Sequence, residues 1–226
     1  SSRRFSGQNR PNQLPSDRNG AGALVLVVGP SGAGKDSLID AVRPAFPERE
    51  RLVFARRCIT RPADVGGEDH VPLSVQEFQE TRRRGGFLFH WQAYGLFYGI
   101  PADYGDALTA GAIVVANVSR SVLNEARRRF ASLVIVHVTA SPETLKARLA
   151  GRGRETGKAV DMRLRRAIAT VPTGDDVVTV LNDGTLEEAT EKFDKILRDL
   201  VARISHEAQQ PQERTGHEAP AYQSRC

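Results

Sequence analysis

Gly29-Pro30-Ser31-Gly32-Ala33-Gly34-Lys35-Asp36 fits the phosphate-binding pattern G-x-x-x-x-G-K-[ST] at every position but the last. Its flanks agree. Ala23-Leu24-Val25-Leu26-Val27-Val28 is an uninterrupted apolar run suited to a parallel strand buried on both faces, and Ser37 to Val42 reads as a first helix. A strand-to-helix turn of this kind aims successive backbone N–H groups and the positive end of a helix dipole at one point, which suits phosphate oxygens. Residues 29–37 are therefore the expected nucleotide-binding segment, with Lys35 reaching the β- and γ-phosphates. A glycine-rich turn that binds nothing is the bland alternative. The lysine, the glycine spacing and the strand argue together against it.

Asp36 stands where a Ser or Thr usually offers a neutral hydroxyl to Mg²⁺. A carboxylate there adds negative charge beside a triphosphate, which is tolerable if the metal is close or if arginines offset it. Ser37 carries a hydroxyl one position on, but a helix turns it away from where residue 36 points. Either a metal site is rebuilt around Asp36, or nucleotide binding is impaired.

The chain has 226 residues, enough for one α/β domain with a good core rather than two. Its net charge is +5, from 32 Lys and Arg against 27 Asp and Glu. Most of that excess is arginine scattered along helices, with no aromatic-interleaved basic stretch, so small polyanions are expected as partners rather than nucleic acid. Cys58 and Cys226 are far apart in sequence; no structural disulfide is expected, in keeping with a reducing cytoplasm. No signal peptide or membrane-length apolar run is found, and no membrane partner is expected.

Residues 1–22 and 205–226 are polar and read as disordered tails. Between them strands and helices alternate, which argues for a parallel sheet flanked by helices. Leu52-Val53-Phe54-Ala55, Ile113 to Ala116, Leu133 to Val138 and Val177 to Val180 are the further core strands. Ser74-x-x-Glu77 is a capping box opening a helix over 75–84, Ser141-Pro142 opens another reaching Ala150, and Thr185-x-x-Glu188 opens a long one reaching about Ile204. Phe87 to Phe89 and Leu96 to Tyr98, separated by Gly95, read as a small antiparallel excursion.

A second constellation is the loop Thr60-Arg61-Pro62-Ala63-Asp64-Val65-Gly66-Gly67-Glu68-Asp69-His70. Arg57 and Arg61 bring planar forks that suit phosphate oxygens. Glu68 and Asp69 can accept from sugar hydroxyls or help hold a metal. A surface loop of mixed charge is the alternative, and the phosphate loop upstream tips the reading toward binding. The run Trp91 to Pro101 reads as an edge of the same region, where Tyr98 either hydrogen-bonds a phosphate or simply packs. A third cluster is Arg148, Arg152, Arg154, Arg163, Arg165 and Arg166, interrupted by Gly151, Gly153 and Gly157. Arginines on a flexible segment between helices suit a lid that closes over transferring phosphates, and a solvated basic face is the alternative. Arg148 and Arg152, one turn apart, and then Arg163 are the first candidates. Asn117-Val118-Ser119-Arg120 ends a core strand, where an open α/β sheet places its ligands, so Asn117 and Arg120 are candidates too.

In this order the blocks resemble the guanylate kinase-like branch of the nucleoside monophosphate kinases, and within it the ribose 1,5-bisphosphate phosphokinases. The resemblance runs from about Ala23 to Leu200, on residues 29–37, 59–70 and 95–101. It implies a P-loop NTPase fold: a guanylate kinase-like parallel sheet flanked by helices, with an acceptor-binding insertion at about 52–110 and a lid at about 150–163, in a kinase domain over 23–204. It implies ATP as donor with Mg²⁺, ribose 1,5-bisphosphate as acceptor, and 5-phosphoribosyl 1-diphosphate as product, a step in phosphonate breakdown. Lys-Asp-Ser is itself typical of that family, which makes Asp36 a family mark and a candidate metal ligand. Tyr94 stands where the resemblance implies a histidine. Lys35, Arg148 and Arg152 would be the catalytic cations, with Arg57, Arg61, Glu68, Asp69, Tyr98, Asn117, Arg120 and Arg163 toward the acceptor.

The residues support this reading independently. Guanylate kinases carry a longer loop after Thr-Arg that helps read the guanine edge, whereas the loop here is shorter and ends Gly66-Gly67-Glu68-Asp69-His70. A smaller acceptor without a base fits it. A phosphate oxygen is largely ionised at neutral pH, since its second pKa is about 6, so no general base is required. Catalysis reduces to positioning and charge neutralisation. The corresponding guanylate kinase strand ends in acidic residues while Asn117 is neutral, which suggests that one carboxylate has moved across the site to position 36. The competing readings are a guanylate kinase with relaxed base recognition, a non-catalytic binding module, and a basic nucleic-acid binder.

Overall fold

A computed structural model describes residues 22–46, 51–62, 68–150 and 171–209. The apolar run becomes β1 (Ala23–Val28), buried along its whole length. After the glycine turn comes α1 (Lys35–Val42), which sends Leu38, Ile39 and Val42 inward. Strands β2 (Leu52–Phe54), β3 (Arg57–Ile59) and β4 (His70–Pro72) are three residues each. Helix α2 (Val75–Arg83) opens with the expected capping box: Glu77 N donates to Ser74 Oγ at 3.1 Å, and Ser74 N donates to Glu77 Oε2 at 2.7 Å. The antiparallel excursion is a full hairpin, β5 (Phe87–Ala93) with β6 (Leu96–Pro101). Its two-residue turn, Tyr94-Gly95, has φ of 52° and 77°, the left-handed pair that matches a two-residue hairpin to the strand twist. Then follow α3 (Asp103–Thr109), β7 (Ile113–Asn117), α4 (Leu123–Arg129), β8 (Leu133–Thr139), α5 (Pro142–Ala150), β9 (Val177–Leu181) and α6 (Leu186–Gln209).

The main sheet has the order β2-β7-β1-β8-β9, with every neighbouring pair parallel. One face packs Val25, Val27 and Val138 against Leu38 of α1 and Phe193 and Leu197 of α6. The other packs Leu24, Leu26 and Ile135 against Ile100, Leu108 and Leu123. A second sheet, β4-β3-β6-β5, stands apart, with Phe78 stacked on Phe87 at 4.5 Å and Cys58 buried among them. Burial pushes the Cys58 thiol up to about 11, so it stays protonated and unreactive.

This is the α/β arrangement that the alternating pattern implies. β1 lies between β7 and β8, so the phosphate loop, the end of β7 at Asn117 and the end of β8 meet at one edge of the sheet. The sequence reading did not resolve β3, β4, α3 or α4 as elements, and α6 runs on to Gln209 rather than ending near Ile204. Residues 1–21 and 210–226, which hold most of both expected tails, lie outside the described residues. So do 63–67 of the expected acceptor loop and residues 151–163 of the expected lid, Arg152 and Arg163 among them. Among the described residues no helix is long and apolar enough to cross a membrane.

Candidate active site

The phosphate loop is a tight backbone bend that needs its glycines. Gly29, at φ 150°, lies so close to β8 that a Cβ there would be 1.9 Å from the Val138 carbonyl. Gly34, at φ 87°, is the N-cap of α1, and a Cβ would come within 2.5 Å of Asn182 Nδ2. Lys35 curls back across the bend and donates to the Gly29 and Pro30 carbonyls, both at 2.9 Å. Its ammonium is thereby held in the concavity of the loop, with Ser37 on the exposed side of α1. Asn182, buried just past the end of β9, donates to the Ala33 carbonyl at 2.8 Å from behind. Next to it, Asp183 Oδ1 accepts from Ser141 N at 2.6 Å, which draws that carboxyl below its ordinary pKa. The chain end of β9 thus braces both the phosphate loop and the start of α5.

Asp36 points across the sheet edge. Its Oδ1 accepts from Asn117 Nδ2 at 2.5 Å and from Arg57 Nη2 at 2.9 Å. Arg57 also pairs with Glu68 Oε2, and Arg61 Nη2 donates to Glu68 Oε1 at 3.2 Å. A continuous line of charge therefore runs from the phosphate loop through Arg57 and Glu68 to Arg61, beside a shallow cleft lined by Asp36, Arg57, Glu68, Asp69 and Asn117. Both oxygens of Glu68 are engaged, so it orders the two arginines rather than standing open to a sugar. Asp69 pairs with Arg56 at 2.6 Å on the rim. His70 is buried, with Nδ1 3.0 Å from the Glu68 carbonyl and Nε2 3.0 Å from the Arg61 carbonyl. Its two ring nitrogens thus bridge Arg61 and Glu68, on either side of residues 63–67. The Tyr98 ring stacks on Trp91 at 5.5 Å and lies 6.0 Å from the Arg57 guanidinium. Burial raises the Tyr98 hydroxyl above its ordinary pKa, with Arg57 pulling the other way, so the group is neutral.

The donor set fits a hard cation. Mg²⁺ takes oxygen ligands, commonly one or two carboxylates completed by phosphates and water. Asp36 is 41 % exposed and both its bonds fall on Oδ1, while Asn117 Oδ1 is buried without a partner among the described residues. Asp36 is the carboxylate that would hold such an ion, with Asn117 Oδ1 the second oxygen of the same bonded residue pair. Among the described residues no cluster of three or more His, Cys, Asp or Glu is grouped to hold a metal unaided.

Residues 21–200 match the family model described as guanylate kinase. The chain belongs to the guanylate kinase family. Within the family it is 46 % identical over 183 residues to a ribose 1,5-bisphosphate phosphokinase of Rhizobium etli, an alignment covering 81 % of this chain and 93 % of that one. It is 50 % identical over 183 residues to another from Acidiphilium cryptum, covering 80 % and 96 %. A bifunctional ribose 1,5-bisphosphokinase-thymidine phosphorylase of Azorhizobium caulinodans is 45 % identical over 185 residues, but this chain spans only 27 % of its length. In structure, guanylate kinase from Anaplasma phagocytophilum superposes with a TM-score of 0.55 at 20 % identity, covering 79 % of this chain and 85 % of that chain, which establishes the shared fold.

In this guanylate kinase-family site the structure brings together Lys35, Asp36, Arg57, Arg61, Glu68, Tyr98 and Asn117, all read from sequence. Arg120 is half-buried in the short helical turn Arg120–Val122 just beyond β7. Tyr94 is exposed at the hairpin tip. Arg148 lies in the last turn of α5, with Nη1 buried and lacking a hydrogen-bond partner among the described residues, and its charge helps hold the Asp183 carboxyl ionised. Arg56, His70, His137, Asn182 and Asp183 escaped the sequence reading. The last two directly follow the final parallel strand, the position where this class of sheet gathers functional groups.

His137, paired with Val28 beside the phosphate loop, is buried with both ring nitrogens unpartnered among the described residues. Burial, and then the charges of Arg120 and Lys35, hold its pKa below the ordinary imidazole value. Between the lowered native pKa and about 6.5, the unfolded chain binds the proton more readily than the native one. Stability is therefore full above that window and falls as pH drops through it. Melting temperatures recorded from pH 8 to 5 are expected to decline at the acid end, and His137→Leu is expected to flatten the decline. An equally steep decline in the variant would assign the effect to other groups.

Proposed function

We propose that this chain transfers the γ-phosphoryl group of ATP to the 1-phosphate of ribose 1,5-bisphosphate. The products are ADP and 5-phosphoribosyl 1-diphosphate, the latter serving phosphonate breakdown. The observation that carries the proposal is Arg57, held between the phosphate-loop carboxylate Asp36 and Glu68. It sets a guanidinium fork where an acceptor phosphate would face the donor. The two phosphokinase relatives, matched over nearly their whole length, support the same acceptor.

The chemistry asked of the protein is modest. Backbone N–H groups of residues 29–37 and the Lys35 ammonium hold the donor phosphates. Arg57 and Arg61 receive the acceptor phosphate, with Tyr98, Asn117 and Arg120 on the flanks and Asp69 on the rim. The attacking phosphate oxygen is already ionised, so no side chain removes a proton. Arg148, and with it Arg152 and Arg163 of the segment we assign as a lid (about 150–163), would close on the transferring group and exclude water. Mg²⁺ held by Asp36 and Asn117 would neutralise charge between the two phosphates. We assign 23–204 as the kinase domain and the second sheet, within about 52–110, as its acceptor arm. The free, buried Cys58 supports a reducing, cytoplasmic setting.

The deciding assay supplies ATP and Mg²⁺ with ribose 1,5-bisphosphate, with GMP, or with no acceptor, and follows ADP and the diphosphate product. Turnover with the ribose bisphosphate is expected. Preferential turnover of GMP would make the chain a guanylate kinase, and no ADP in any arm would make it a binding module.

The metal assignment has its own check. Asp36→Asn is expected to raise the free Mg²⁺ needed for half-maximal rate at saturating ATP. Asp36→Ser is expected to be only partly active, because Asn117 opposite is neutral and cannot replace the carboxylate. An unshifted Mg²⁺ curve for Asp36→Asn would retire the assignment.

A further inference from the structure

We propose that Asp36 couples the donor and acceptor sites: it withholds Arg57 from the acceptor until the cation of a Mg–nucleotide engages the carboxylate, so the two substrates bind synergistically. This rests on the reading above that the acceptor is a ribose bisphosphate.

Arg57 is committed on both sides. A single nitrogen, Nη2, bonds Asp36 Oδ1 at 2.9 Å and also Glu68 Oε2, and the side chain is only 11 % exposed. One positive charge thus faces two negative ones. Charge interactions in such a largely buried setting are several-fold stronger than at the open surface. An acceptor phosphate approaching Arg57 meets a guanidinium whose charge is already offset by two carboxylates, and release of either one restores its pull on the phosphate.

The two are not equally displaceable. Glu68 is 14 % exposed, with one oxygen on Arg57 and the other on Arg61. Asp36 is 41 % exposed, with its bonds among the described residues confined to Oδ1. It is also the neighbour of Lys35 in the phosphate loop, on the donor side. A cation arriving with the donor can therefore reach Asp36 and cannot compete for Glu68 in the same way. Neutralising Asp36 weakens its hold on Arg57 and frees the fork for the acceptor. Conversely, an acceptor phosphate that draws Arg57 away leaves Asp36 uncompensated and raises its affinity for the cation. The bond from Asn117 Nδ2 keeps the carboxylate in place through the exchange. A hydroxyl residue at position 36 would ligate the metal but could not hold Arg57 by charge. The carboxylate is what links the sites.

The test measures binding without turnover, using Mg–ADP and ribose 1,5-bisphosphate as a dead-end pair in isothermal titration calorimetry. With the intact chain, the acceptor Kd is expected to fall about 5-fold or more when Mg–ADP is saturating, and the Kd of Mg–ADP to fall by the same factor when acceptor is saturating. Asp36→Asn is expected to reduce both factors to about one while leaving the melting profile cooperative. Arg57→Gln is expected to do the same with weaker acceptor binding, and serves if the first variant does not fold. Glu68→Gln keeps the coupling, since Asp36 remains. Equal acceptor affinity with and without Mg–ADP in the intact chain overturns the proposal, as does coupling that survives in Asp36→Asn or that disappears only in Glu68→Gln. If GMP binds and ribose 1,5-bisphosphate does not, the acceptor reading fails separately, and the same cycle run with GMP decides the coupling.

Discussion

Lys35→Ala is expected to lower kcat about 100-fold or more at saturating substrates, with only a small change in melting temperature. The two effects separate because of where the residue sits. Its ammonium bonds the Gly29 and Pro30 carbonyls at the mouth of the phosphate loop, and the side chain contributes nothing to either large apolar cluster. Water can replace the lost donors at those part-buried carbonyls, so the fold tolerates the change. The transferring phosphoryl group has no such substitute, because charge on its oxygens must be met at a fixed point. Lys35→Arg would keep the charge while replacing a compact ammonium with a planar fork, and is expected to recover only part of the rate. Steady-state kinetics together with thermal melts check both halves. Near-normal turnover in Lys35→Ala would remove the phosphate-loop reading itself.

The second large effect is expected at Arg57. Arg57→Ala removes the guanidinium shared by Asp36 and Glu68 and leaves two carboxylates facing each other across the cleft. Truncating one partner of a desolvated charge pair costs on the order of 2 kcal/mol or more. Taken on the acceptor, that is roughly a 30-fold loss in kcat/KM for ribose 1,5-bisphosphate. The KM for ATP is expected to move far less, because the proposal gives the donor to the loop backbone and Lys35. Some stability is lost as well, since like charges at this edge lose their counterion. Arg61→Ala is expected to act in the same direction with a smaller defect. Among the described residues Arg61 pairs with Glu68 alone, at 3.2 Å, and lies one step further from the phosphate loop. Titrating each substrate separately checks the assignment, and a larger defect for ATP than for acceptor would move either arginine to the donor side.

Much of the molecule is written locally in the chain. The apolar run 23–28 reads as a covered strand, because six successive apolar residues, several of them β-branched, have no exposed face to offer and end at a glycine turn. Glycine spacing specifies the phosphate loop, since positive φ at Gly32 and Gly34 is costly for other residues. The capping box at Ser74 and the N-cap at Thr185 mark helix starts through hydrogen bonds that span three residues. Each of these signals acts within one turn or one strand, which is the range over which sequence order and spatial neighbourhood coincide.

The second sheet lacks that locality. Arg57-Cys58-Ile59 has no strand signature of its own; it becomes β3 only because β4 pairs on one side and β6 on the other. The residues that define the site meet across still longer separations. Asn117 reaches Asp36 from 81 positions away, and Asn182 braces Ala33 from 149. The chain supplied the chemical groups: a lysine in a glycine loop, a carboxylate in place of a hydroxyl, arginines enough for two phosphates. Which carboxylate faces which arginine followed from the sheet order, with β7 laid beside β1 so that Asn117 and Asp36 share one edge. Polar pairing across a sheet edge depends on strand order and register, and these are settled by the burial of whole apolar faces rather than by the residues that happen to end each strand.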